Sequence, residues 1–267
     1  FQFQIPKKKK GDYRNINAPN EALCKLQKLV YRILLKKIKV HHSTKGFVPK
    51  TSIVHNALVH LQQEVVINLD LKDFFDNTSS RKVLQFWQNI GWDKQTATIL
   101  CNICSLDGKL PQGAPTSPML SNLVNFRMDC RISNLISHFG GIYTRYADDI
   151  TISFAQYDSV QRGLLKIICK IIKENGYQLN KKKKIRIQRP HQRQTVTGLV
   201  VNRKVNLLRL VRHRIRAMQH YQKLGKLQKN DENKLKGWLS LQEMIIKQSD
   251  GYQIIPKIYQ TKSKTNH

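Results

Sequence analysis

Acidic side chains are what this 267-residue sequence has least of: 17 Asp and Glu stand against 47 Lys and Arg, for a formal net charge of +30. That imbalance excludes a cationic partner and points to a polyanion, because each phosphate neutralised releases condensed counterions. Long apolar runs are also missing. No stretch reaches the ~18 residues of a membrane helix, and no signal peptide pattern is present, so no membrane contact is expected. Cysteine is sparse and irregular, with Cys24, Cys101, Cys104, Cys130 and Cys169 in no framework. An odd count suits free thiols in a reducing bacterial cytoplasm. Cys101 and Cys104 form a single CxxC without a second pair or a histidine at zinc spacing, and read as half-buried residues of an apolar stretch. The chain opens on Phe1 rather than Met. What remains is ordinary for a folded protein: 40% hydrophobic and 8% aromatic residues, enough for one or two cores.

The charge is unevenly spread. Residues 1–63 hold 13 basic side chains and only Asp12 and Glu21 as acids, residues 64–174 hold 11 of the 17 acids, and residues 175–230 hold 16 Lys and Arg with no acid at all. A short run such as Lys7–Lys10 or Lys181–Lys184 is ordinary solvated surface, but 56 residues without an acid are not. The order basic, acidic, basic suggests two regions that grip nucleic acid on either side of a carboxylate-rich centre.

Hydrophobic periodicity places these regions on elements. Residues 21–39 carry Leu23, Leu26, Val30, Ile33 and Leu34 at helical spacing. The β-branched run 65–71 reads as a buried strand. Residues 117–138 read as a helix opened by Ser117-Pro118. Segments 142–146 and 150–154 read as a hairpin about Ala147-Asp148-Asp149. A helix is expected over 159–174, ended by Asn175-Gly176. A second hairpin is expected from 195–202 and 205–210, followed by a basic helix to about Leu227.

Three aspartates draw attention within this layout. Asp70 ends one apolar strand, and Asp148 and Asp149 sit at the turn of a hairpin. Carboxylates gathered in one place repel unless cations neutralise them. Magnesium suits such a set because it binds a few carboxylates together with phosphates and water, and a pair of ions supports in-line displacement at phosphorus. An Asp-Asp pair in a turn is commonplace by itself. The surrounding strings are not.

Those strings resemble reverse transcriptases. Tyr146-Ala147-Asp148-Asp149 matches the YADD box, and Asn68-Leu69-Asp70-Leu71-Lys72-Asp73-Phe74-Phe75 resembles the first catalytic box. The resemblance implies that Asp70, Asp148 and Asp149 are catalytic and, with Leu71, hold two magnesium ions, manganese being a possible substitute. It further implies a nucleotide site. Arg14 contacts the triphosphate and Asp73 and Phe74 line its binding place. Phe75 is the steric gate that selects dNTPs, Gln112 of Leu110–Pro118 lies against the nascent base pair, and Lys183 belongs to the Leu179-Asn180 box. The fold implied is α+β, a right-hand polymerase with fingers, a palm on an antiparallel sheet and a helical basic thumb. The expected parts are fingers over 1–64, a palm over 65–200 with an inserted fingers segment at about 77–115, and a thumb and tail over 201–267.

Two elements resemble the retron enzymes in particular: Asn56-Ala57-Leu58-Val59-His60 is similar to their NAxxH element, and Val196-Thr197-Gly198 to their VTG element. As a family expectation, Asn56, His60, Val196, Thr197 and Gly198 contact nucleic acid, although His60 by itself reads as a hydrogen-bonded helix histidine. Arg209, Arg212, Arg214 and Arg216 stud the basic helix, which reads as a thumb tracking an A-form duplex through phosphate and shape. Tyr221 and Trp238 either stack on a base or pack between helices. The family resemblance implies a structured non-coding RNA copied into a small multicopy DNA that stays attached to it, dNTP substrates, a separate effector protein and a role in anti-phage defence. Two alternatives stay open: a reverse transcriptase of another bacterial lineage, and a non-catalytic RNA-binding protein on the same fold.

Overall fold

The structure is a computed structural model describing residues 1–6, 11, 13–180 and 185–250, the side chains of 159–162 excepted. The run Lys7–Lys10, the run Lys181–Lys184 with Lys183, and the tail from 251 onward lie outside the described residues.

The chain begins with a hairpin of β1 (Gln2–Pro6) and β2 (Tyr13–Asn17), paired from Gln2 opposite Asn17 to Pro6 opposite Tyr13. Helix α1 (Glu21–Val30) follows, its first turn capped by the Asn20 side chain accepting from the Leu23 amide at 2.8 Å. It continues as a π-helical turn, Tyr31–Leu35. The expected helix over 21–39 is therefore shorter, and its buried face is different. Gln27 and Val30 point inward, while Leu23, Leu26 and Ile33 are exposed. The reason is the neighbour: the Gln27 amide donates to the Ile103 carbonyl at 2.8 Å and sets the helix rotation.

Next come α2 (Ile53–Leu58) and β3 (Val65–Asp70), the latter buried along nearly its whole length. Helices α3 (Ser80–Asn89) and α4 (Lys94–Cys104) pack together. The single helix expected over 117–138 is two, α5 (Ser117–Leu123) and α6 (Phe126–His138). Asn125 makes the break, its amide donating to the Ser121 carbonyl and the Tyr177 hydroxyl, both at 2.8 Å. Strands β4 (Gly141–Tyr146) and β5 (Asp149–Phe154) form the expected hairpin, followed by α7 (Ser159–Glu174) and the short β6 (Arg186–Gln188). The second hairpin is tighter than expected: β7 (Thr195–Val196) pairs with β8 (Leu199–Val200) across Thr197-Gly198, and Val200 meets Asn206 beyond it. The basic helix α8 (Arg209–Lys223) stops short of Leu227, and a 21-residue helix, α9 (Lys229–Ser249), lies against it.

The central sheet is antiparallel, in the order β4-β5-β3-β6. Alternation along β3 divides its side chains between two cores. Val65, Ile67 and Leu69 join Ile132 and Ile136 of α6 and Ile168 and Ile172 of α7. Val66 joins Val54 and Leu58 of α2, Val196, Leu199, Ile215 of α8, and Leu235 and Ile245 of α9. A separate core gathers Leu35, Val83, Trp87, Leu100, Leu110 and Leu120. Residues 1–64 pack in several places. Their first part meets the α3–α4 core, Thr44 pairs beside Arg145 of β4, and α2 belongs with α8 and α9.

Candidate active site

The sheet brings the aspartates together at one edge. Asp70 and Asp149 are register partners, so their side chains leave the same face of β3 and β5. Asp148 sits in the intervening turn, its carbonyl accepting from the Leu71 amide at 2.9 Å. Asp70 is only 8% exposed. Asn180 grips it twice, the Asn180 amide donating to the Asp70 carbonyl at 2.8 Å and its side chain to Oδ2 at 2.9 Å. The hairpin turn needs a left-handed residue at its first position, which Ala147 supplies at φ 56°. Holding a non-glycine residue there requires support, and three groups supply it. The Arg145 guanidinium donates through Nη1 to the Ala147 carbonyl at 3.2 Å. Arg145 is itself clasped by Asp129, Nε to Oδ1 at 2.8 Å and Nη2 to Oδ2 at 2.7 Å, with both side chains fully buried. Behind the turn runs Gly46, where a Cβ would lie 2.6 Å from the Ala147 nitrogen, so only glycine fits.

Asp129 is saturated further by the Tyr143 hydroxyl at 2.7 Å and the Thr44 hydroxyl at 3.2 Å. Burial and the neighbouring carboxylate push the Tyr143 phenol well above its ordinary range, so it donates. The pairing with Asp129 outweighs burial for Arg145 and keeps it a cation. These residues were not singled out from the sequence. The available signal was a charged residue in an otherwise apolar strand, Tyr143-Thr144-Arg145, and an acid on the apolar face of a helix.

The expected nucleotide residues come from three segments: β2, the loop after β3 and the loop before α5. Arg14 is exposed on β2, Asp73 is exposed at φ 43°, and Phe75 and Gln112 are half-buried. The Gln112 carbonyl accepts from the Asn17 amide at 2.8 Å, which ties the β1–β2 hairpin to the site. A cleft of about 400 Å³ opens at that joint, with Gln112, Asn15, Asn17, Asp76 and Lys109 among its walls. Phe74 is 5% exposed and stacks on Tyr177 with ring centroids 5.6 Å apart.

Three expected nucleic-acid contacts are likewise buried. His60 is 0% exposed, its Nδ1 2.7 Å from the Ser153 hydroxyl and its Nε2 2.8 Å from that of Thr144. It joins α2 to β5 and β4 from beneath, and burial lowers its pKa to about 3, so it is neutral. Asn56 and Val196 are also buried. Thr197 is half-buried, its hydroxyl donating to the Ile53 carbonyl at 3.3 Å, and Gly198 is exposed. Arg209, Arg212, Arg214 and Arg216 are all exposed on α8, whose one buried residue is Ile215. Tyr221 is exposed, whereas Trp238 packs against the α2–α8–α9 core. Cys101 and Cys104 are free and buried on α4, and burial pushes the Cys104 thiol up to about 11.

The donor set at the edge is all hard oxygen, the chemistry of magnesium rather than zinc. Among the described residues, no three His, Cys, Asp or Glu side chains close on a single point as a metal cage. No helix of the described residues is long and apolar enough to cross a membrane.

Comparison with known proteins agrees with this arrangement. The family model for reverse transcriptase (RNA-dependent DNA polymerase) matches residues 5–208. Retron Ec86 reverse transcriptase of Escherichia coli is 35% identical over 245 residues, covering 90% of this chain and 75% of that protein. Retron Mx65 reverse transcriptase of Myxococcus xanthus is 34% identical over 236 residues, covering 82% of this chain and 55% of that one. Among solved structures, telomerase of Candida albicans in complex with a fragment of telomeric RNA superposes with a TM-score of 0.56 at 11% identity, covering 94% of this chain and 55% of that chain. Apo telomerase of Candida tropicalis, truncated from its C-terminal domain, gives 0.55 at 14%, covering 78% and 54%. At such identities these two structures speak for the right-hand polymerase fold alone. With catalytic boxes, sheet edge and relatives in agreement, the chain belongs to the reverse transcriptase (RNA-dependent DNA polymerase) family and, within it, to the retron type.

Proposed function

We propose that this enzyme copies a structured non-coding RNA into a small multicopy single-stranded DNA that stays attached to its template, by nucleotidyl transfer at the Asp70–Asp148–Asp149 edge. The observation that carries the reading is the opposition of Asp70 and Asp149 in one register, with Asp148 beside them in a braced turn. Asp70, Asp148, Asp149 and the Leu71 main-chain carbonyl would hold two magnesium ions, with manganese a workable substitute. Bound ions would supply charge neutralisation at the triphosphate and a more acidic primer hydroxyl. The chain's own residues do the rest. Asn180 fixes the Asp70 rotamer before substrate arrives, and Arg145 fixes the turn. Arg14 meets the triphosphate, with Lys183 assigned there by the family box. The Asp73 main chain borders the same place, Gln112 lies beside the base pair, and Phe75 closes the space a 2′-hydroxyl would need.

In this reading the β1–β2 hairpin with the α3–α4 core forms the fingers, the central sheet with α6 and α7 the palm, and α8–α9 the thumb. The α8 arginines then grip duplex phosphates. The partners are the cognate RNA, its DNA copy and dNTPs. A separate effector protein and a part in anti-phage defence in the bacterial cytoplasm follow from the retron resemblance.

Primer extension on a synthetic RNA template tests the chemistry. Asp148→Asn with Asp149→Asn should abolish synthesis and leave RNA binding within about twofold. Extension by that double variant would remove the aspartates from their role. Sequencing the nucleic acid that copurifies from the native locus, with and without debranching, tests the product.

A further inference from the structure

Phe47 has a conformation that packing does not explain. It sits at φ 59°, the left-handed region that a bulky side chain rarely adopts, yet the residue is 41% exposed. A strained backbone that buries its side chain is understandable as core packing. A strained backbone that holds an aromatic ring half in solvent is a sign of something the ring must do. The surroundings over-determine the position. The Lys45 amide donates to the Arg145 carbonyl at 2.8 Å, and the Asn122 side chain donates to the Gly46 carbonyl at 2.9 Å. The Thr51 hydroxyl lies 2.7 Å from both the Lys45 and the Val48 carbonyls and shares its proton between them. Gly46 lies flat against Ala147. Phe47 is thereby fastened to the same hairpin turn that carries Asp148 and Asp149.

Its ring faces Phe75, with centroids 6.0 Å apart and planes tilted by 44°. Among the described residues, Phe75 has one other aromatic neighbour, Phe74, at 5.5 Å edge-on. Phe74 is anchored in the core by Tyr177, so it gives Phe75 a rigid back. Phe47 gives it a second support, carried by a different segment of chain and referenced to the aspartates. Discrimination against one extra oxygen depends on a ring held to within a fraction of an ångström, since a ring free to tilt would admit it.

We propose that Phe47 is a positioning residue for sugar selection: it holds the Phe75 ring in the orientation that excludes a ribonucleotide 2′-hydroxyl. This rests on the reading of Phe75 as the sugar gate. Loss of the Phe47 ring lets the gate tilt, and ribonucleotides gain access without any change at the aspartates.

The test is the ratio of kcat/KM for a dNTP to that for the matching rNTP, measured with full-length protein on one template and primer. A ratio does not depend on the fraction of enzyme folded, so a merely structural role would not move it. Phe47→Gly removes the ring and relieves the left-handed strain. Phe47→Ala is a second ring-less variant, and Phe47→Leu keeps apolar bulk. Phe75→Ala reports on the gate itself. The expected result is a ratio lowered about 10-fold in Phe47→Gly and Phe47→Ala, largely restored in Phe47→Leu, and lowered further in Phe75→Ala. Adding Phe47→Gly to Phe75→Ala should have no further effect, because its only route is through the missing ring. If Phe75→Ala relaxes selection while Phe47→Gly leaves it within twofold of the parent, the gate stands and the inference is overturned. If Phe75→Ala leaves selection intact, the gate reading falls and takes the inference with it.

Discussion

Arg145 and Ala147, two residues apart, are joined by a hydrogen bond from Nη1 to the Ala147 carbonyl, 3.2 Å long and wholly buried. The same guanidinium is locked on Asp129 by two shorter bonds, at 2.7 and 2.8 Å. The Ala147–Asp148 turn therefore rests on an ion pair inside the protein rather than on the sheet alone. Such pairs contribute little over a well-packed apolar pair, but removing one partner strands a charge.

Asp129→Asn should consequently be among the most damaging single changes outside the aspartates. It leaves Arg145 buried without its counter-charge, at a cost of about 3–5 kcal/mol. For a chain of this size that lowers Tm by about 10 °C. Thermal denaturation followed by circular dichroism reads the effect; a Tm within 2 °C of the parent would show that the ion pair does not brace the fold.

Gly46→Ala is a more local probe. The added Cβ would meet the Ala147 nitrogen at 2.6 Å, and backbone cannot swing aside as a side chain can. The turn must shift, so kcat should drop at least 10-fold with RNA affinity unchanged. Single-turnover extension beside a filter-binding isotherm separates the two, and normal kcat would mean that the turn tolerates displacement.

His60 predicts a pH dependence. Its folded pKa is about 3 against 6.5 for an unperturbed imidazole, because it is buried. The unfolded chain therefore takes up a proton that the native state does not, and stability falls as pH drops below about 6.5. Between pH 7 and 5 this contributes a loss of about 2 kcal/mol. His60→Asn should flatten the decline over that window, as read from urea denaturation at each pH. An unchanged slope would assign the acid sensitivity elsewhere.

The face of α8 that carries Arg209, Arg212 and Arg216 should set the salt dependence of RNA binding. Each Arg→Gln change there should reduce the slope of log Kd against log salt by about 0.7–0.9. Arg214→Gln, at the side of the helix, should matter less. Equal slopes for parent and triple variant would exclude α8 from phosphate contact.

Much of this site was readable in the order of residues, and the reasons are physical. A continuous β-branched run makes β3 visible and two strand-like segments about a tight link make the Tyr146–Asp149 hairpin visible, and the family's boxes lie on those strands, where register leaves little freedom. Burial was less readable. His60, Asn56 and Val196 match family elements, yet a motif records that a residue type is required without saying whether it faces solvent or core. Helix α1 shows the complementary failure: Leu23 and Leu26 have the spacing of a buried stripe, and the amide of Gln27 takes the inward place because a carbonyl on α4 awaits it. Arg145, Gly46 and Phe47 carry their meaning only in three dimensions, each being defined by a turn a hundred residues away or beside it.

The third core joins α2, near residue 55, to α9, near residue 245, and the Ser52 hydroxyl even reaches the Gln248 side chain across 196 positions. A ribosome delivers these partners far apart in time. Val54, Ala57 and Leu58 meet Val66 early and Val196 and Leu199 later, but α9 covers them only after nearly two hundred further residues are synthesised, so this part of the molecule closes last and slowly. A nascent chain halted within α9 would hold the assembled aspartate edge above an open apolar seam, which makes the α2 surface the expected target of chaperones and the first place for aggregation to begin.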